Sequence, residues 1–179
     1  MPHSSDPATI ATPMVAGLYT YWLKQRGDRR MPPRMDIDPA DIKSLLPNLF
    51  LAEFTLDPFR VRYRLVGTEI VNHAHFDFTG RYLDELDFSA YDEVDWMGLY
   101  RIVWQQGVPI FGDAVETFRD RLRAPAPYHF CILPLSNDGA TATGAVALEE
   151  YQKLSAHDRD QLPRVVLNYP GVHCMNLHR

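Results

Sequence analysis

The sequence predicts an α+β fold: a five-stranded antiparallel sheet with short helices and one long helix on one face, plus a flanking helix at the N-terminus. Three observations lead to this prediction. A segment in the first half of the chain alternates in the manner of a strand with one buried face. A long amphipathic helical pattern follows it, and three more strand-like segments come after that helix.

The alternating segment begins at Phe59, after a strand-like run, Asn48–Phe54, and a turn at Asp57 and Pro58. A period of two places one set of side chains on the buried face of a sheet. The two runs are therefore expected to form neighbouring strands in a hairpin-like arrangement. The apolar set is Phe59, Val61, Tyr63 and Leu65, and the opposite set is Arg60, Arg62 and Arg64.

Helical segments follow this strand. Two short ones, Thr68–Val71 and Tyr82–Leu86, come after turn signals at glycine. The longest helical pattern extends from Tyr91 to Gln106 and has one continuous apolar face. We expect this main helix to cover one face of the sheet. Its face consists of Trp96, Met97, Tyr100, Val103, Trp104 and, at the end, Gly107.

Three later strand-like runs complete the predicted sheet: Ile110–Phe118, Tyr128–Leu135 and Thr143–Glu150. Successive apolar positions in the last two are typical of strands that are buried on both faces. Something must then cover the sheet opposite the main helix. The nearest candidate is a predicted helix, Pro13–Gly27, which has an apolar stripe. We expect this stripe to pack either on its own domain or on a partner. The stripe comprises Met14, Val15, Leu18, Tyr19 and Trp22.

Two acidic motifs have the spacing of helix caps. Asp38 precedes a proline and lies three residues before Asp41, which predicts the start of a helix and a structural role for these carboxylates. Ser155 and Asp158 predict a last helix that continues to about Val166. The expected organisation is an arm, flanking helix and linker over residues 1–34, one domain over 35–152, and a C-terminal helix and tail over 153–179.

Several motifs resemble those of a known family. They are YRLVGTEIV from Tyr63, TGRYLDEL from Thr79, DIDPADI from Asp36 and LLPNLF from Leu45, with the paired strands downstream. On these motifs the chain, from about Trp22 to about Leu148, resembles a proteobacterial family of single-domain PAS proteins. The resemblance implies a PAS fold and a sensing or adaptor role, and it names no ligand. Before the Thr-Gly pair, members usually read FGRD, whereas this chain has His75, Phe76, Asp77 and Phe78.

Composition excludes several classes of protein. A formal net charge of -5 argues against bulk nucleic-acid or acidic-membrane binding, since both depend on clustered Lys and Arg. No run of about 18 apolar residues and no signal-peptide pattern occur, so we expect a cytoplasmic protein that does not insert in a membrane. Cys131 and Cys174 are expected to be free thiols, and no metal site is predicted.

No familiar catalytic motif occurs in the chain: there is no GxSxG, P-loop, HExxH or GxGxxG sequence. We therefore predict a protein that is not an enzyme. Two alternatives stay open. One is a small cone-shaped enzyme of the ketosteroid-isomerase type, with Asp113, Glu116 or His129 as its base. The other is a purely structural dimerisation module.

The predicted ligand site lies between the main helix, the alternating strand and the short helices. Aromatic side chains there combine apolar area with hydroxyl or ring N–H groups, so a small, mostly apolar or aromatic ligand is expected. The identity of any cofactor is open, and His73 or His75 as a single axial haem ligand is one hypothesis. The candidate ligand-binding residues are Tyr63, Leu65, His73, Phe76, Trp96, Met97, Tyr100 and Trp104.

Partners are expected on two grounds. One sensor-like domain fills the chain, so a signal would have to leave through another signalling protein. A homodimer through the N-terminal helix is the second expectation. The interior decides among the three classes: a buried acid in a cavity favours the enzyme, a neutral aromatic cavity favours the sensor, and a filled core favours the dimerisation module.

Overall fold

The computed structural model describes residues 12–87, 94–116, 126–152 and 165–168. Its sheet is antiparallel and has the strand order β2-β1-β5-β4-β3-β6. The five predicted strands and the α+β class are confirmed, and a sixth strand extends one edge of the sheet. The strands are β1 Leu49–Thr55, β2 Arg60–Val66, β3 Ile110–Glu116, β4 Ala126–Leu135, β5 Gly144–Tyr151 and β6 Val165–Asn168.

Three α-helices are present in the described residues: α1 Pro13–Arg26, α2 Thr68–Ala74 and α3 Trp96–Gln106. Helix α1 starts at a proline, as predicted, and Gly27 ends it with a positive φ of 56°. Short 3₁₀ turns lie at Arg34–Asp36, Leu46–Asn48 and Leu83–Glu85.

The main helix is shorter than predicted. Asp95 is its N-cap and accepts a hydrogen bond of 2.9 Å from the Gly98 backbone N–H. This cap satisfies one of the free amides of the first turn and fixes the helix start at Trp96. The predicted start at Tyr91 lies outside the described residues, but Val94 and Asp95 are not helical.

Two other predicted helices are wrong in the described residues. The chain after Asp38 forms consecutive turns instead of a helix, in which the Asp38 Oδ1 accepts a 2.8 Å hydrogen bond from the Ala40 N–H. Asp38 therefore caps a turn, and a local side-chain bond of this kind competes with helix formation.

The second of these helices was predicted near the C-terminus. There, Val165 and Val166 belong to β6 and pair with the outer edge of β3. Residues 155–164 of that predicted helix lie outside the described residues.

The two faces of the sheet follow from strand pairing, because directly paired residues point to the same side. Phe50, Ala147, Ile132 and Ile110 form one such row across four strands. We call the side on which this row lies the cavity face. Residues one position away along each strand point to the opposite side, which we call the α1 face.

Leu65 does not lie on the buried face as predicted. Ala52 pairs with Tyr63 while its neighbour Leu51 pairs with Leu65, so β2 has one extra residue, Arg64. Such a β-bulge reverses the alternation of side chains beyond it. Val61 and Tyr63 are buried as expected, whereas Leu65 is 37% exposed.

Helix α1 packs on its own domain. The stripe residues Val15, Leu18, Tyr19 and Trp22 are buried. The Trp22 Nε1–H donates a 2.8 Å hydrogen bond to the Pro134 carbonyl. On the same face, the ring centroids of Tyr19 and Phe111 lie 5.0 Å apart in an edge-to-face contact. The stripe is thus covered within one chain, and a homodimer through α1 stays a prediction.

Both central strands, β4 and β5, are buried along most of their length, as their apolar sequences predicted. Cys131 on β4 is a buried free thiol, and Cys174 lies outside the described residues. Burial raises the pKa of the Cys131 thiol, so it stays protonated and unreactive near neutral pH. Across the described ranges, the longest apolar helical stretch falls short of what a membrane crossing requires.

Candidate functional site

A cavity of about 50 Å³ lies on the cavity face of the sheet, under α2 and α3. Its volume corresponds to roughly three to five water molecules, at about 10–15 Å³ each. The interior is therefore not filled by side chains. The described lining residues are Phe50, Tyr63, Ile70, Ala74, Phe78, Trp96, Tyr100, Tyr128, Phe130, Cys131, Ile132, Ala147, Leu148, Glu149 and Tyr151.

Regular secondary structure places these side chains. Ala147, Glu149 and Tyr151 alternate along β5, so all three point to the cavity face. Trp96 and Tyr100 are four residues apart in α3, which puts them one above the other on the helix surface. The cavity thus has a floor of strand residues and a roof of helix residues.

Aromatic rings form most of the wall. Tyr63 and Phe78 meet edge to face with their centroids 5.0 Å apart, and Trp96 meets Phe130 in the same way, also at 5.0 Å. The rings of Tyr128 and Tyr151 lie 5.2 Å apart. Contacts at these distances are favourable beyond simple burial, and they hold the rings in fixed positions around the space.

One carboxylate belongs to this aromatic wall. Glu149 is only 9% exposed, and its Oε2 accepts a 2.7 Å hydrogen bond from the Tyr151 hydroxyl. The Asn48 side-chain amide donates a 2.8 Å hydrogen bond to the Glu149 carbonyl, which fixes the backbone at this position. A buried acid group is costly without polar contacts, so a carboxylate held in this way is a candidate binding group.

The pKa of the Tyr100 hydroxyl shows how burial and charge act inside the cavity. Burial raises the pKa of its hydroxyl, and the negative charge of Glu149 raises that pKa further. A hydrogen bond with Tyr63 acts in the opposite direction, because it stabilises the ionised form. The Tyr100 hydroxyl is therefore neutral at physiological pH, and it lies within the electrostatic field of a carboxylate.

Of the predicted ligand-binding residues, the structure brings Tyr63, Trp96 and Tyr100 together in the lining. Met97 and Trp104 lie on the same helix but are half-buried outside the cavity. Trp104 stacks on Phe59 instead, with a centroid distance of 4.8 Å. The helical spacing thus identified the correct face of α3 but did not show how far along the helix the cavity extends.

The other three predicted residues lie outside the lining as well. Leu65 is turned outward by the bulge, and Phe76 is 38% exposed while touching the ring of Phe78. The His73 ring stacks on Tyr151 at a centroid distance of 3.4 Å. His75, the other candidate haem ligand, is exposed and ends α2 with a positive φ of 61°. A ligand-binding role for any of these residues stays a prediction.

Twelve of the fifteen described lining residues were not among the predicted candidates, and they include Phe78, Tyr128, Glu149 and Tyr151. The sequence did contain a signal for Glu149 and Tyr151. Glu149 interrupts a run of apolar residues on β5, and Tyr151 has the same parity along the strand. A carboxylate at an inward-facing position of a buried strand points to a polar role inside the fold.

The predicted enzymatic bases lie elsewhere. Asp113 pairs with His129 across β3 and β4, one position away from the pair Gly112 and Phe130. Since Phe130 lines the cavity, Asp113 and His129 point to the α1 face, where their side chains hydrogen-bond to each other. The side chain of Glu116 lies outside what the structure describes. Within the described segments, His, Cys, Asp and Glu form no group of three suited to a metal ion.

A family model matches most of the chain. The family model described as PAS domain matches residues 10–147. The matched segment includes all three α-helices, the first four strands and part of β5. No curated protein matches the chain significantly.

Proposed function

Because the chain belongs to the PAS domain family, we propose that it is a non-catalytic sensor or adaptor in bacterial signalling that binds a small molecule in the aromatic cavity. In this proposal, ligand binding changes the interaction of the domain with a partner protein. The observation that carries the proposal is the unfilled space of about 50 Å³ among the aromatic and aliphatic side chains under α2 and α3. Most natural cores leave few voids larger than a water molecule.

The lining favours a ligand with a mostly apolar surface. Rings and aliphatic side chains form nearly all of it, and the polar groups are concentrated at Tyr63, Tyr100, Glu149 and Tyr151. Sites for small molecules commonly have this composition, with apolar walls that provide burial and a few polar groups that fix orientation. The small volume restricts the ligand to a few heavy atoms unless side chains move.

We expect Ala147→Val to abolish binding while the protein stays folded. Ala147 lies at the centre of the cavity floor, so two added methyl groups would occupy the space that a ligand needs. Valine also suits a strand. The measurement is native mass spectrometry of freshly purified protein, with the denatured mass as reference, to detect a bound molecule in the parent and its loss in the variant.

Ala145→Val is the matched control. Ala145 lies on the same strand and face, two residues away, but it does not line the cavity. The added methyl groups there should cost about 1–3 kcal/mol through overpacking and leave the bound mass unchanged in molecules that remain folded. If no bound mass is found in any preparation, or if Ala147→Val retains it, the sensor proposal fails.

Glu149 supports a second candidate, because a buried acid in a cavity was the feature expected of an enzyme of the isomerase type. In that case Glu149 would be the general base, in place of Asp113 or His129. A base that removes a carbon-bound proton exchanges it with solvent. Mass spectrometry of the ligand after incubation in D₂O decides: deuterium uptake that Glu149→Gln abolishes favours the enzyme, and an unchanged ligand favours the sensor.

A further inference from the structure

We propose that the stacked rings of His73 and Tyr151 form a gate, which opens to let a ligand enter or leave the cavity. This inference rests on the proposed ligand-binding function and adds a route of access to it. Three features support it: where the lining reaches the surface, which rings close the cavity there, and how each of those rings is held.

The first feature is the burial of the lining. Of the fifteen described lining residues, thirteen are buried, and a ligand that passed between them would have to displace packed side chains. The other two, Trp96 and Tyr151, are half-buried. Each of these two side chains reaches from the cavity to the surface. Access through the described wall is therefore easiest at one of them.

The second feature is the contact that closes the wall at Tyr151. The His73 ring lies on the Tyr151 ring, with the two centroids 3.4 Å apart and the ring planes 4° from parallel. His73 is in the last turn of α2, and Tyr151 is the last residue of β5. Since His73 is itself half-buried, the stacked pair lies between the cavity and the solvent.

Trp96 is less suited to open. Its ring meets the buried ring of Phe130 edge to face at 5.0 Å and stacks on Tyr128 at 6.5 Å. The backbone is also fixed here, because the Asp95 side chain caps the first turn of α3. Movement of Trp96 would break contacts inside the core, whereas movement of His73 breaks a stack at the surface.

The third feature is that the two rings of the gate are held differently. The Tyr151 hydroxyl donates a 2.7 Å hydrogen bond to Glu149, and its ring contacts Tyr128 at 5.2 Å. His73 belongs to a helix of 7 residues, which is too short to be stable without tertiary contacts. Helix ends of this kind open locally at a low free-energy cost. In this gate, His73 moves and Tyr151 stays in place.

Methyl iodide is the probe of access, because it is among the smallest neutral reagents that modify a thiol. Ala147→Cys places the target on the cavity floor, and mass spectrometry of the peptide that contains position 147 gives the rate of methylation. Adding His73→Ala removes the stack, so methylation should become about two- to tenfold faster. This range corresponds to the usual free energy of one aromatic contact.

Three variants separate the stack from other effects. His73→Phe keeps a flat ring over Tyr151 and removes the imidazole nitrogens, so it should retain the slow rate whatever other contacts those nitrogens make. His75→Ala makes the same change on an exposed residue that does not line the cavity, and should leave the rate unchanged. Ala145→Cys places the target on the same strand and face but outside the lining, so its methylation should not respond to His73→Ala.

An unchanged rate at position 147 in His73→Ala overturns the inference, and so does a His73→Phe protein that reacts as fast as His73→Ala. Equal acceleration by His75→Ala, or acceleration at position 145, would show that the effect does not come from the stack, which also overturns it. None of these results removes the proposed function, because that function is tested separately by the mass bound to the purified protein and by Ala147→Val.

Discussion

Replacing Trp22 with alanine is expected to destabilise the protein by about 3–5 kcal/mol, the usual cost of removing a large buried aromatic side chain. Trp22 is 1% exposed, and it fills the interface between α1 and the sheet. Its loss also leaves the Pro134 carbonyl without the hydrogen bond from Nε1. An unsatisfied buried acceptor adds to the cost. The measurement is urea unfolding followed by circular dichroism.

Two controls separate these contributions. Trp22→Phe keeps an aromatic ring but removes the donor, so it should cost clearly less than Trp22→Ala. Trp104→Ala removes the same type of side chain from a half-buried position, where it stacks on Phe59, and should also cost less. If Trp22→Ala costs under about 1 kcal/mol, α1 does not dock on the sheet, and its apolar stripe is available to a partner.

Much of the fold was predictable because the spacing of apolar residues indicates which side chains of a strand or helix are buried. Alternation identified the inward positions of Val61 and Tyr63, and consecutive apolar residues identified β4 and β5 as strands buried on both faces. The position of Leu65 was not predictable in this way. It depends on a one-residue mismatch with β1, and pairing register is a property of two strands together.

The same limit applies to the cavity. Helical spacing placed Trp96 and Tyr100 on one face of α3, because their relative position depends on that helix alone. Both residues line the cavity. Glu149 and Tyr151 are cavity residues only because β5 lies in the middle of the sheet, opposite α2 and α3, and that placement is tertiary. The volume of the space depends on how far these elements approach each other, which no pattern in a single segment records.

Gly67→Ala is expected to destabilise the protein by about 3 kcal/mol or more, at the upper end of the range for overpacking. A Cβ atom at this position would lie 2.2 Å from the Pro47 carbonyl oxygen and 2.5 Å from that of Leu46. Both are backbone atoms, so no side-chain rotation relieves the clash. The Gly67 N–H also donates a 2.7 Å hydrogen bond to the Leu49 carbonyl, which holds the junction between β2 and α2 in place.

Gly17→Ala provides the matched control in the same assay. Gly17 is an exposed residue inside α1, and a Cβ there would have no atom within 4 Å. Alanine should therefore stabilise the helix by about 0.5–1 kcal/mol through its higher helix propensity. The two substitutions are chemically identical, but their expected effects on stability have opposite signs.

Because α2 contributes Ile70 and Ala74 to the lining, Gly67→Ala should also weaken ligand binding in molecules that remain folded, whereas Gly17→Ala should not. A Gly67→Ala protein with parental stability would mean that β2 and α2 do not join as closely as described, and the roof of the cavity would then be placed wrongly.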